Sequence, residues 1–428
     1  MRAKKELLTK VLYQVFVRDY PPHGTLRDVK DDLKRIHDLG ADILYLMPIQ
    51  TIGKVGRKGS LGSPYAIEDY GEIDPSLGTE EDLRKLCEKA HLLGMKVILD
   101  VVYNHTARDS VLLKEHLEYF YKDKDGNFGN KAGAWSDVYD LDHSKEGLDD
   151  LLVSYLLKYQ GLGIDGFRFD VASLLPSSFY RLAREKLGEE CIFLAECIDT
   201  DFLNFLRSKG VRTLTNAELV ESGIDFLYPY ASFAFLENYL LSLREEDLSS
   251  ALVALKLEEA AIPQDHFLTR CVENHDRRRI NSYHDSPLLA RNLLAFTFFE
   301  RGPAFVYFGE ECQEKHLPSL FEQEMLSFPK PEKDYEELFQ KLVGWKKGRF
   351  QEKILATLYL EAQGHVLLAK NVSSEREVYG LFNLSTKKEK VSFEHLPTGK
   401  YKDLLSGKEV LVSEDGLSVS DPLFLVRE

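Results

Sequence analysis

The stretch Gly-Ile-Asp-Gly-Phe-Arg-Phe-Asp, residues 163–170, is typical of a buried strand that ends on a carboxylate. Side chains alternate along a strand, so Gly166, Arg168 and Asp170 are predicted to share one face, while Phe167 and Phe169 point to the other. A guanidinium beside a carboxylate favours the ionised form that a nucleophile needs. Taken alone, the pair fits a structural ion pair at a strand end equally well.

Short apolar runs of this kind alternate with amphipathic helical stretches along most of the chain. In the two clearest helices, apolar residues recur at three- and four-residue spacing and stop at Gly40 and Gly94. Thr79 and Asp82 are placed like a capping box. Buried strands joined by helical crossovers require a parallel sheet, and eight such units predict a (β/α)8 TIM barrel. The eight runs are residues 11–17, 42–47, 96–102, 164–169, 191–195, 223–227, 267–272 and 303–308.

Two segments do not follow the alternation of strands and helices that predicts the barrel. Residues 105–142 are polar and too long for a simple crossover, so they are predicted to form a small inserted subdomain after the third strand. Residues 350–428 alternate in hydropathy between turn sequences and predict a C-terminal antiparallel β-sandwich. The barrel itself is then assigned to residues 1–104 and 143–349.

The amino-acid composition excludes some classes of binding partner for this protein. The 428-residue chain carries a net charge of −15, which argues against nucleic acid or an anionic membrane surface as a partner. No apolar run is long enough to span a bilayer, and the first twelve residues lack the apolar core of a signal peptide. The five cysteines are scattered and are expected to be free thiols. We therefore expect a cytoplasmic protein with a neutral substrate.

Polar residues follow four of the predicted strands, where packing alone would favour apolar ones. The carboxyl ends of barrel strands carry the active site, so these residues are predicted to converge on one mouth of the barrel. Like charges gathered there repel each other, which is hard to explain by stability. The residues are Asp100, Asn104 and His105 at the end of strand 3, Arg168 and Asp170 at the end of strand 4, Glu196 at the end of strand 5, and Glu273, Asn274, His275 and Asp276 at the end of strand 7.

Separated carboxylates with an arginine and two histidines, and without a catalytic cysteine or a tight histidine cluster, fit the hydrolysis of an acetal. A glycosidic bond needs one carboxyl group to protonate the leaving oxygen and one carboxylate to attack the anomeric carbon. In retaining enzymes the two groups lie roughly 5–5.5 Å apart, a spacing that neighbouring strands can supply. Asp170 and Glu196 are the predicted pair.

Four motifs, taken together and in this order, resemble those of the α-amylase family of glycoside hydrolases. They are Asp-Val-Val-Tyr-Asn-His (100–105), Gly-Phe-Arg-Phe-Asp (166–170), Leu-Ala-Glu (194–196) and Val-Glu-Asn-His-Asp (272–276). Ser-Pro-Tyr-Ala-Ile-Glu-Asp-Tyr (63–70) is also similar to a family sequence. Any one motif alone is weak, whereas four at successive strand ends are specific.

The resemblance implies a role for each matching residue. Asp170 is the expected nucleophile, Glu196 the general acid/base, and Asp276 the carboxylate that stabilises the transition state through the sugar hydroxyls. Arg168 is expected to orient Asp170, and the expected sugar-binding residues are Tyr65, which stacks on the ring, His105 and His275. The alternative for the two histidines and Tyr65 is that they only pack in the core.

The resemblance is incomplete in two places, which are the leaving-group side of the site and the calcium site of the family. Many members of the family carry Lys-His where this chain has Ser173 and Leu174, so leaving-group binding must be built differently. The family often holds Ca²⁺ between the inserted subdomain and the residue matching Asn104. The sequence offers only Asn104 as a candidate ligand, and we expect that no cofactor is required.

The function predicted from the sequence is hydrolysis of α-1,4-linked glucans, such as maltodextrins and starch fragments, through a covalent glucosyl-enzyme. The nearest alternative is a 4-α-glucanotransferase that passes the glucosyl group to another sugar. More distant alternatives are a catalytically silent barrel that binds sugar or a partner protein, and a Mg²⁺-dependent barrel enzyme. The chain lacks the large N-terminal module of dimeric cyclodextrin-degrading relatives, so a monomer is expected.

Overall fold

The structure is a computed structural model that describes residues 4–133, 135–197 and 200–427. The chain divides into two units. The first unit consists of Tyr13–Tyr228 and Pro318–Ser327, and the second of Arg2–Leu12, Pro229–Leu317 and Phe328–Glu428.

Each of the eight apolar runs forms a strand, and the eight strands belong to one sheet. Their residues are almost all buried, as expected for a parallel sheet covered on both faces. The strands are β1 (Val11–Val15), β2 (Ile43–Leu46), β3 (Lys96–Val101), β4 (Gly166–Phe169), β5 (Ile192–Ala195), β6 (Phe226–Leu227), β7 (Phe267–Leu268) and β8 (Ala304–Tyr307).

The strands of the first unit follow one another in chain order. β2 pairs with β3, β3 with β4, β4 with β5 and β5 with β6, all in parallel. In this register Asp100 of β3 lies opposite Arg168 of β4. The chain continues from β4 into Asp170 and from β5 into Glu196, so the two predicted catalytic carboxylates leave neighbouring strands at the same edge.

The two clearest helices predicted from the sequence end just before Gly40 and Gly94, as expected. The helix Leu26–Asp38 begins with a capping box formed by Thr25 and Asp28, and Thr79 and Asp82 form the same motif at the next helix. No described helix has the length and hydropathy that a bilayer span requires. The remaining α-helices are Glu80–Leu92, Val111–Glu115, Leu148–Gly161, Ser177–Leu187, Thr200–Ser208, Asn216–Glu221, Tyr230–Ser242, Glu245–Ala261, Pro287–Phe299, Lys333–Lys346 and Arg349–Glu352, and the short 3-10 helices are Lys5–Thr9, Val17–Asp19, Leu117–Tyr119, Ala172–Leu174, Ile280–Ser282 and Glu310–Cys312.

The segment predicted as an insertion lies in the first unit and contains little regular structure. The strand His105–Ala107 pairs antiparallel with Val138–Asp140 at its two ends. Beside it, Gln50–Ile52 pairs antiparallel with Ile67–Ile73, and Ala66, Ala107 and Val138 share a small apolar cluster with Trp135. The boundaries 105–142 stay a prediction, as do 1–104, 143–349 and 350–428.

In the second unit, a parallel bridge between Arg270 and Ala304 links the ends of β7 and β8. The C-terminal residues of this unit form an antiparallel six-stranded sheet in the order β9-β10-β11-β16-β13-β14, and a separate two-stranded sheet of β12 and β15. One apolar cluster includes residues of both sheets, among them Leu381, Val391 and Val419. The strands are β9 (Ile354–Gln363), β10 (Val366–Ser373), β11 (Glu377–Asn383), β12 (Glu389–Val391), β13 (Gly399–Asp403), β14 (Glu409–Val412), β15 (Leu417–Val419) and β16 (Leu423–Arg427).

Candidate active site

Arg168 is the centre of the site in the first unit. Its side chain is fully buried, and Nη1 donates to Asp100 Oδ1 at 2.8 Å and to Asp170 Oδ1 at 2.9 Å. Nη2 lies 3.1 Å from Glu196 Oε2. One guanidinium therefore holds carboxylates from the ends of β3, β4 and β5 together, and Asp170 and Glu196 are neighbours around it.

Asp100 holds Arg168 in position through hydrogen bonds from Nη1. Its Oδ2 accepts hydrogen bonds from the Tyr45 hydroxyl at 2.8 Å and from the Tyr65 hydroxyl at 3.0 Å. Burial raises the pKa of Asp100 to about 6, although Arg168 opposes this rise. Three carboxylates share one guanidinium, so negative charge is in excess where an oxocarbenium-like transition state would be stabilised.

A strained turn after Asp170 connects the nucleophile candidate with Glu196. Val171 has a φ of 37°, in the left-handed region that β-branched residues rarely adopt. Its backbone N–H donates to Glu196 Oε2 at 2.7 Å, and the N–H of Ala172 donates to the Glu196 carbonyl at 3.1 Å. The conformation of this turn thus fixes the position of Glu196.

His105 and Tyr65 also lie at this site. His105 Nε2 is 3.9 Å from Asp170 Oδ2, and its Nδ1 accepts a hydrogen bond from Asn104 Nδ2 at 3.1 Å. Burial lowers the pKa of His105 to about 4, so the imidazole is neutral at pH 7 and can donate one N–H to a sugar hydroxyl. Tyr65 is partly exposed and is held by its bond to Asp100.

His275 and Asp276 belong to the second unit, after β7. His275 Nε2 lies 3.2 Å from Asp276 Oδ2, and the N–H of Asp276 donates to Asn274 Oδ1 at 2.9 Å. Asn274 Nδ2 in turn donates to the Tyr230 hydroxyl at 2.8 Å, and the side chain of Asp276 is 37% exposed. Glu273 points elsewhere and forms a fully buried ion pair with Arg279. The convergence of His275 and Asp276 on Asp170 and Glu196 stays a prediction.

Three contributors to the site were missed by sequence reasoning. Asp100 was noted as a polar strand end without a role, and the register between β3 and β4 gives it one. Tyr45 interrupts the aliphatic strand Ile-Leu-Tyr-Leu, a signal that was available in the sequence. The N–H of Val171 carries no sequence signal, because its direction depends on a backbone angle.

Calcium binding at Asn104 stays a prediction, and the described side chains around it offer few oxygen ligands. Asn104 Oδ1 is buried without a hydrogen-bond partner, which leaves one free oxygen. The nearby Asp140 already accepts from Asn104 Nδ2 at 3.3 Å and from the Lys131 N–H at 2.8 Å, whereas Ca²⁺ takes six to eight oxygen ligands. Among the described residues, no group of three or more His, Cys, Asp and Glu side chains could hold a metal.

Comparison with known proteins supplies the family. The family model of the α-amylase catalytic domain matches residues 9–143, and the model of the bacterial α-amylase C-terminal domain matches residues 359–422. The crystal structure of an α-amylase from Lactobacillus plantarum is 35% identical and superposes with a TM-score of 0.90, over 99% of this chain and 100% of that one. The chain belongs to the α-amylase family. The predicted fold class, an eight-stranded β/α barrel followed by an antiparallel C-terminal domain, is the α-amylase fold and is confirmed.

Other proteins that are similar to this chain differ in the activities that their names state. A noncanonic maltogenic α-amylase, AmyB, from Thermotoga neapolitana is 27% identical with a TM-score of 0.84, over 98% of this chain and 99% of that one. An α-1,4-glucan:maltose-1-phosphate maltosyltransferase from Arcanobacterium haemolyticum is 36% identical over 196 residues, which is 40% of this chain. The match spans only 28% of that transferase.

Proposed function

We propose that this protein is a retaining hydrolase of α-1,4-glucosidic bonds in maltodextrins and starch fragments. The observation that carries the proposal is the single guanidinium of Arg168 between Asp170 and Glu196. The similarity to an α-amylase over nearly the whole of both chains supports the substrate class.

In the proposed first step, an Asp170 carboxylate oxygen bonds to the anomeric carbon as the glycosidic C–O bond breaks. Glu196 gives its proton to the leaving oxygen, so a neutral shorter sugar departs and a glucosyl-enzyme remains. In the second step Glu196 takes a proton from water, the water oxygen bonds to the anomeric carbon, and Asp170 is released.

The surrounding residues have supporting roles in this proposal. Arg168, held by Asp100 and hence by Tyr45, keeps Asp170 ionised and fixes its orientation. Neutral His105 binds a hydroxyl of the sugar that is cleaved, and Tyr65 stacks on its apolar face. We propose that His275 and Asp276 bind hydroxyls of the same sugar and that Asp276 stabilises the developing positive charge.

Incubation with maltoheptaose tests the proposal. New reducing ends and shorter oligosaccharides are expected from the natural protein and not from Asp170→Asn, whereas Asp38→Asn, an exposed surface change, should behave as the natural protein does. Absence of reducing-end release from both maltoheptaose and soluble starch would contradict hydrolysis. Glucan binding without any turnover would point to the silent barrel.

Glucanotransfer is the second candidate function, and the maltosyltransferases among the similar proteins favour it. A transferase shares the first step, but in the second a sugar hydroxyl replaces water and gives its proton to Glu196. Chromatography of the same maltoheptaose digest separates the two functions. Products longer than the substrate, with little gain in reducing ends, would identify a transferase.

We also propose that the protein works as a cytoplasmic monomer without a metal ion. The five cysteines are buried, and we propose that they are thiols, which suits a reducing compartment. Among the described residues around Asn104, few side-chain oxygens are available to a calcium ion, which supports a reaction without a metal. Size-exclusion chromatography with light scattering tests the monomer, and a molecular mass of twice that of the chain would contradict it.

A further inference from the structure

The side chain of Asp276 lies against the first turn of the helix Tyr230–Ser242, which belongs to the same unit. We propose that Tyr230, together with the buried carboxylate of Glu258 that caps this first turn, positions Asp276 for the reaction. Both are then positioning residues, which act on the sugar only through Asp276. The inference rests on the role that the proposed function gives to Asp276.

Tyr230 contacts the segment around Asp276 at two points. Its hydroxyl accepts a hydrogen bond from Asn274 Nδ2 at 2.8 Å and lies 3.5 Å from Asp276 Oδ2. Asn274 Oδ1 in turn accepts from the Asp276 N–H at 2.9 Å. One hydroxyl therefore contacts the carboxylate of Asp276 and also holds the side chain that binds its backbone. Because the stabilisation of a developing charge depends on where the opposite charge is held, Tyr230 affects what Asp276 can do.

Arg277 joins the same segment to the helix further along. Its guanidinium carbon lies 4.8 Å from the centre of the Tyr230 ring and 4.7 Å from the centre of the Phe233 ring. Its Nη1 is 3.1 Å from Glu237 Oε2. Residues 230, 233 and 237 have the spacing of one helix face. The segment that carries Asp276 is thus packed along this face, and a movement of the helix would move it.

The first turn of this helix has no cap in its own sequence, and Glu258 supplies one. The residue before the turn is Pro229, whose side chain can accept no hydrogen bond. Glu258 lies on the neighbouring helix Glu245–Ala261 and is only 5% exposed. It accepts from the Ala231 N–H at 2.9 Å and from the Ser232 N–H at 3.3 Å, two of the groups that a helix start leaves without an intrahelical partner.

Loss of this cap should reach Asp276 through Tyr230. A buried carboxylate is costly unless its hydrogen bonds are formed, so Glu258 and the helix start hold each other in place. Without Glu258 the N–H groups of the first turn lose their acceptor, and this turn is the part that should move. Tyr230 lies in it. A displacement of the Tyr230 hydroxyl would release Asp276, and misplacing a reacting group by about 1 Å can cost about 10²-fold in rate.

Steady-state kinetics with maltoheptaose test the proposal. Glu258→Ala should lower kcat by about tenfold or more, and Tyr230→Phe, which removes one hydroxyl, by at least about threefold. KM should change by less than about twofold in both, because neither residue contacts the sugar. Glu258→Gln keeps an oxygen that can accept the N–H bonds and should stay within about threefold of the natural kcat.

Asp82→Ala is the matched control for the loss of a helix cap. Asp82 is also a buried carboxylate that accepts an N–H at a helix start, but its helix, Glu80–Leu92, carries no residue of the proposed site. Thermal unfolding should show a lower Tm for both Asp82→Ala and Glu258→Ala, whereas only Glu258→Ala should have a lower kcat. A natural kcat in Glu258→Ala would mean that its carboxylate only stabilises the fold, and the proposal would be overturned.

A double-mutant cycle shows whether the effect passes through Asp276. In the background of Asp276→Asn, Tyr230→Phe and Glu258→Ala should each lower the remaining rate by less than about twofold. Undiminished losses in that background would overturn the positioning role. A natural rate in Asp276→Asn itself would remove both the proposed role of Asp276 and this inference. A slow Asp276→Asn beside natural rates in Tyr230→Phe and Glu258→Ala would remove the inference alone.

Discussion

Among single residues, Arg168 determines what the site can do. A guanidinium has several donors in one plane and can hold more than one carboxylate, whereas a lysine ammonium is a single point charge. Here Nη1 donates hydrogen bonds to Asp100 and Asp170, and Nη2 lies 3.1 Å from Glu196 Oε2. The nucleophile and the acid are thus positioned by one rigid group, which is itself fixed by Asp100.

Removing either carboxylate should stop turnover without unfolding the protein. Asp170→Asn keeps the shape of the side chain but removes the nucleophile, and we expect maltoheptaose turnover to fall on the order of 10⁴- to 10⁶-fold. Glu196→Gln removes the acid/base and should cost about 10²- to 10⁴-fold. Initial rates and circular dichroism check both statements. A near-normal rate in either variant would exclude that residue from the mechanism.

The burial of His105 predicts a pH dependence of stability. Burial lowers its pKa from 6.5 in the unfolded chain to about 4 in the folded protein. Above pH 6.5 the imidazole is mostly neutral in both states, so its titration leaves the free energy of unfolding unchanged. As the pH falls towards 4, the unfolded chain binds a proton that the folded protein refuses, and stability is lost by about 3 kcal/mol at most.

Urea unfolding between about pH 7 and pH 4.5 measures this effect. The free energy of unfolding of the natural protein should decrease with acidity more steeply than that of His105→Asn, which cannot titrate there. Parallel curves for the two proteins would contradict the buried, neutral histidine.

Among the structural elements, strand β4 leaves no room for a side chain at Gly166. A Cβ atom on Gly166 would lie 2.4 Å from the backbone oxygen of Ile192 on β5, closer than packed atoms allow. Gly166→Ala should therefore separate the two strands and displace Arg168, with a loss of about 1–3 kcal/mol of stability and a larger loss of activity.

Gly344→Ala is the matched control for this change. Gly344 lies within the helix Lys333–Lys346, and an added Cβ meets no atom within 4 Å. Alanine there should stabilise the protein by about 0.5–1 kcal/mol, since glycine is the poorer helix former. Thermal unfolding compares the two variants, and an equal Tm for Gly166→Ala and the natural protein would show that β4 and β5 tolerate the methyl group.

For the molecule as a whole, we expect an activity that does not depend on Ca²⁺. Because Asp140 is already bonded to Asn104 and to the Lys131 N–H, we expect activity to be unchanged within about twofold after treatment with EGTA and dialysis. The measurement is the maltoheptaose rate with and without added Ca²⁺. A loss that Ca²⁺ restores would show that Asn104 belongs to a cage after all.

The sequence predicted the parts of this molecule that depend on local pattern. All eight barrel strands and the capping box at Thr79 follow from burial and helical spacing, and the edge shared by Asp170 and Glu196 follows from the rule that parallel strands end together. The Asp100–Arg168 contact depends on strand register, and the hydrogen bond from the Val171 N–H to Glu196 depends on one backbone angle. Such features appear only when the chain is folded.

The most direct test of the account is to trap the intermediate on Asp170. The variant Glu196→Gln, incubated with an α-glucosyl fluoride that needs no acid to leave, should form the glucosyl-enzyme and release it slowly. Proteolysis and mass spectrometry are then expected to find one glucosyl group on the peptide that contains Asp170. A glucosyl group on another residue, or an inverted product with no covalent adduct, would contradict the proposed mechanism.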